Sequence, residues 1–72
     1  MMDELIRMRE TLMGLGFLEV PGTPKKLYFT NQNKDNIQLK YHKEKGSLTL
    51  LNKYGVILKE FQDYKDFRSN YP

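Results

Sequence analysis

The sequence holds one histidine, His42, standing in the run Gln38-Leu39-Lys40-Tyr41-His42-Lys43. An imidazole can move a proton or bind a metal near neutral pH, but each role needs a partner group. The chain has no cysteine and no second histidine. The acids Asp63 and Asp66 fall on the polar side of a helical period, the place of a solvated face and not of a ligand set. Ser47 and Ser69 have no histidine at nucleophile spacing. Gly14 and Gly16 make half of a dinucleotide fingerprint, and they close a helix instead of opening one after a strand. The lysines beside His42 disfavour a further positive charge on its ring. The expectation is therefore a chain that is not an enzyme, with no catalytic residue, no cofactor and no metal.

The chemistry that remains is charge. The net +3 is unevenly spread. Residues 25 to 53 carry Lys25, Lys26, Lys34, Lys40, Lys43, Lys45 and Lys53 against Asp35 and Glu44, a balance of +5. The preceding residues carry Arg7 and Arg9 against Asp3, Glu4, Glu10 and Glu19, a balance of −2, and the remainder cancels. Lysine is a hydrated point charge suited to phosphate, whereas arginine supplies the forked contacts of specific recognition. Lys25, Lys26, Lys40, His42, Lys43 and Lys45 are the candidate nucleic-acid-binding residues. By alternation, Gln38, Lys40 and His42 share a polar face with Ser47 and Thr49, while Tyr41 falls on the opposite side and leaves that face without an evident aromatic pair for stacking. The competing reading has the lysines solubilise an open sheet and blunt its edges.

These residues must be held by elements that the pattern indicates. Residues 3 to 15 read as an amphipathic helix, capped by Asp3, with Leu5, Met8, Leu12 and Leu15 on one row, and Gly14 and Gly16 stop it. A second row, Met2, Ile6 and Met13, lies beside the first with Arg9 between. Both rows can sit on a sheet, with the Arg9 stem along the surface and its head in water. Alternatively Met2, Ile6, Arg9 and Met13 form a partner interface, a homodimer in which Arg9 reaches an acid such as Glu10 of the mate. Phe17 to Val20 reads as a short strand ended by Pro21-Gly22-Thr23-Pro24, and Leu27 to Thr30 as another. Residues 37 to 42 alternate cleanly, Leu48 and Leu50 continue the alternation after a Lys43–Gly46 turn, and Val56 to Leu58 close the strands. Phe61, Tyr64, Phe67 and Tyr71 fall on one side of a helical period over Glu60 to Asn70. The fold expected is a single α+β domain over 1–72: an antiparallel three- to four-stranded meander with an N-terminal and a C-terminal helix packed on one face, in the order α-β-β-β-β-α.

A chain of 72 residues buries only about 60% of the surface its unfolded form exposes, so nearly all its apolar side chains are committed to a core. No apolar run approaches the roughly 18 to 20 residues of a membrane span, and the opening MMDELIRMRE places acids where a signal peptide has bases. The expectation is a cytoplasmic, non-catalytic interaction protein with an unidentified protein partner, monomeric or homodimeric. Its small size and high lysine and asparagine content read as those of a phage- or mobile-element-encoded protein. The alternative is a nucleic-acid-binding module using residues 25–53.

Overall fold

A computed structural model describes residues 2–71, with side chains from Glu4 onward. The Asp3 cap and the place of Met2 in the second apolar row lie outside the described side chains. The elements run α1 (Met2–Gly14), β1 (Leu18–Thr23), β2 (Lys26–Asn31), a short 3-10 turn (Gln32–Lys34), β3 (Ile37–His42), β4 (Leu48–Leu51), β5 (Ile57–Phe61) and α2 (Tyr64–Asn70). All strands join one antiparallel sheet in the order β1-β2-β3-β4-β5. The α+β meander between two helices thus holds, with five strands where three to four were expected.

Helix α1 stops where the glycines indicated. The Gly16 N–H donates to the Met13 carbonyl (3.0 Å) and the Phe17 N–H to the Leu12 carbonyl (2.8 Å), the paired bonds of a Schellman end. They require a left-handed residue between them, and Gly16 has φ +97°. Phe17 and Leu12 are both fully buried, so the turn that ends α1 also seeds the core.

Strand β1 corrects the reading of Pro21-Gly22-Thr23-Pro24, for it continues through Pro21 and Gly22 to Thr23. It lies at the sheet edge, and its pairing with β2 is irregular between Val20 and Thr23. Edges and irregularities are where a residue without a backbone donor is tolerated. The last strand and helix are corrected together. Phe61 pairs opposite Leu48 in the sheet, so Glu60 and Phe61 belong to β5, and α2 begins only after Asp63, whose carboxylate accepts from the Asp66 N–H (2.8 Å).

One face of the sheet carries the core: Leu27, Phe29, Leu39, Leu48 and Phe61 pack with Met8 and Leu12 of α1, Phe17, and Tyr64 and Phe67 of α2. Both helices cover this same face, and the Tyr64 hydroxyl donates to Thr11 Oγ1 (2.6 Å) to join them. Phe67 meets Phe61 edge-on at 5.1 Å and stacks on Tyr71 at 4.9 Å. Ile37, Tyr41 and Leu50, on the apolar side of the alternation, are half-buried and line the core margin. Leu15, last of the row Leu5, Met8, Leu12 and Leu15, is exposed just beyond the end of α1.

Candidate nucleic-acid interface

The sheet face opposite the helices is assembled by register. Across it, Val20 of β1 lies opposite Tyr28 of β2, Tyr28 opposite Lys40 of β3, Lys40 opposite Thr49 of β4, and Thr49 opposite Glu60 of β5. The adjoining row pairs Lys26 with His42. Beyond that row lie two turns, Pro24–Lys25 and Lys43–Lys45. They are tied together, since the Lys43 N–H donates to the Lys25 carbonyl (2.9 Å). Gly46, at φ +74°, closes the second turn by donating to the His42 carbonyl (2.7 Å). Residues far apart in sequence therefore meet at one end of the sheet.

His42 stands at the centre of this end, and two open grooves share it. One, of about 290 Å³, runs over Lys40, His42, Lys45, Thr49 and Glu60. The other, of about 310 Å³, is walled by Lys25, Lys26, His42, Glu44 and Lys45. His42 Nε2 lies 3.3 Å from Thr49 Oγ1. Partial burial, and then the positive charges of Lys26, Lys40 and Lys45, hold the imidazole below its ordinary range, with Glu60 opposing. Those three lysines come from β2, β3 and the β3–β4 turn, and each lines a groove that His42 also lines. Four lysines, Lys25, Lys26, Lys40 and Lys45, face Glu44 and Glu60 around it.

Each residue expected at a site has a definite place. Lys25, Lys26, Lys40, His42 and Lys45 come together, and Lys43 joins through its main chain. Lys40 and His42, expected to be exposed, are half-buried, and Thr49 is buried on this face, outside the helix-covered core. Lys53 does not belong to the cluster: its ammonium lies 3.5 Å from Asp35 Oδ1. Ile6 and Met13 of the second helical row are exposed. Arg9 is engaged within the chain, its guanidinium donating to both carboxylate oxygens of Glu19 at 3.0 and 3.3 Å, so α1 is clamped to β1 by the group that a mate was to receive. Among the described residues no three His, Asp or Glu side chains gather as a metal site.

Tyr28 was missed. In Lys26-Leu27-Tyr28-Phe29-Thr30 the core takes Leu27 and Phe29, so parity alone sends Tyr28 to the open face with Lys26 and Thr30. Tyr28 is half-buried, and the Lys40 ammonium lies 5.9 Å from its ring centroid. Among the described residues no helix is long and apolar enough to cross a membrane. Comparison with protein-family models, with curated proteins and with solved structures finds no match to this chain.

Proposed function

We propose that this protein is a cytoplasmic, non-catalytic binding module whose open sheet face takes a nucleic acid by its phosphates. The observation that carries the reading is the convergence of Lys26, Lys40 and Lys45 on His42, beside Lys25 and beside grooves that no helix covers. Cations grouped on one face raise the local concentration of a polyanion and speed its arrival. A lysine-only cluster favours phosphate contact over base-edge readout. The test is an anisotropy titration with labelled oligonucleotides at several salt concentrations. Binding should weaken with salt, at about 0.7 log units per decade for each single-strand phosphate engaged. Lys40→Glu and Lys45→Glu should each weaken it. Absence of binding at low salt, or a slope near zero, would refute the reading.

A second reading, a homodimer across α1, draws support from the exposure of Ile6 (50%) and Met13 (65%). The internal Arg9–Glu19 clamp counts against it, because the proposed link to Glu10 of a mate would have to break it. Sedimentation from micromolar to millimolar concentration separates the two: a single species near 8.6 kDa excludes the dimer.

A further inference from the structure

We infer that the nucleic acid this face takes is single-stranded, with one base stacked on the ring of Tyr28 and the neighbouring phosphates held by Lys26, Lys40 and Lys45; this rests on the reading of the face as a phosphate-binding surface. A ligand recognised by charge alone has no use for apolar surface. Yet the row holding Lys40 continues into Tyr28 and Val20, and Leu18, opposite Thr30 on the side away from Lys26 and His42, is 54% exposed. Gly22 lets β1 lie close against β2 beside this ring: a Cβ there would stand 2.5 Å from the Lys26 carbonyl oxygen and 3.3 Å from Tyr28 Cδ2. Lys40 is directly opposite Tyr28 in the register, and Lys26 and His42 lie two residues further along the same strands, about 7 Å away at the usual strand rise. An aromatic platform thus adjoins a run of cations on one surface. Single strands offer the faces of their bases to such a platform, while a duplex hides them in its stack. Stacking is also tolerant of sequence, in keeping with lysines that contact phosphate instead of reading base edges.

The test uses the fact that the chain has no tryptophan. In the Tyr28→Trp variant the new indole is the sole such fluorophore and sits at the proposed platform. It is titrated with a mixed-sequence single-stranded oligonucleotide, the matching duplex and inorganic polyphosphate, with anisotropy of the labelled nucleic acid followed in parallel. Indole emission should be quenched by the single strand and unchanged by polyphosphate, and the single strand should bind more tightly than the duplex. Tyr28→Ala should weaken single-strand binding about 5- to 150-fold without changing its salt slope, and Tyr28→Phe should keep the parental affinity. Saturable, salt-dependent anisotropy with unchanged indole emission would overturn the stacking while leaving the phosphate reading intact. Equal affinity for duplex and single strand would do the same. No binding by any probe would overturn both.

Discussion

The side-chain amide of Asn31 lies directly against Gly16: a Cβ at Gly16 would stand 3.1 Å from Asn31 Oδ1 and 3.2 Å from Nδ2. Asn31 is wholly buried, donates to the Leu15 carbonyl (3.0 Å) and accepts from the Asn33 N–H (3.1 Å). One polar side chain therefore joins the end of α1 to the end of β2 and starts the turn into β3. Gly16→Ala meets both a left-handed backbone and this amide, and should cost about 1 to 3 kcal/mol. Asn31→Ala strands the Leu15 carbonyl and should cost about as much. Thermal melting checks both, and a Gly16→Ala variant that melts with the parent would show that the turn has another way to close.

Leu39 is fully buried in the middle strand, under α1 and between Phe29 and Leu50. Leu39→Ala should cost about 2 to 5 kcal/mol, out of a total of roughly 4 to 11 kcal/mol for a domain this long. Gln38→Ala, one residue away on the open face, should stay within about 0.5 kcal/mol. Equal denaturant midpoints for the two variants would refute the assigned parity.

The Arg9–Glu19 pair is forked but about two-fifths exposed on each side. A double-mutant cycle with Arg9→Ala and Glu19→Ala should give a coupling of about 0.2 to 1 kcal/mol that shrinks with added salt. A coupling unchanged between low and high salt would mean that the link is not electrostatic.

His42 makes stability depend on pH with a definite sign. Burial and the ammonium groups of Lys26, Lys40 and Lys45 lower its folded pKa, Glu60 opposes them, and Thr49 is its uncharged neighbour. The unfolded chain therefore binds the proton more readily than the folded one. The contribution is intact above the ordinary imidazole value of about 6.5 and is lost as pH falls below it. The parent should lose stability relative to His42→Ala between neutral pH and pH 5. Bound nucleic acid neutralises the lysines, so oligonucleotide should raise the His42 pKa, seen as an upward shift in its ring-proton NMR titration. An unchanged or lowered midpoint would place the phosphates elsewhere.

Much of the open face was legible before any fold was known. The alternation of Ile37, Leu39 and Tyr41 against Gln38, Lys40 and His42 determines parity within one strand, because successive side chains point to opposite sides of a pleat. The same parity in Lys26–Thr30 puts Tyr28 on the open face, opposite to Leu27 and Phe29. It could not reveal that Lys26 lies beside His42, since that neighbour is set by a register running through the 3-10 turn and the left-handed Asp35 and Asn36.

The order helix, meander, helix, the end of α1 at its glycines, the apolar side of each central strand and the lysine excess of residues 25–53 are all readable from residue types and their spacing. These follow from short-range periods and from the backbone freedom of single residues. It takes the folded chain to place Phe61 in a strand and not in the last helix, to hold Arg9 on Glu19, and to bring Lys25, Lys26, Lys40 and Lys45 around His42. Each of these outcomes is a choice of partner between distant segments. It depends on hairpin register and on competition for one core face, and no local pattern encodes either.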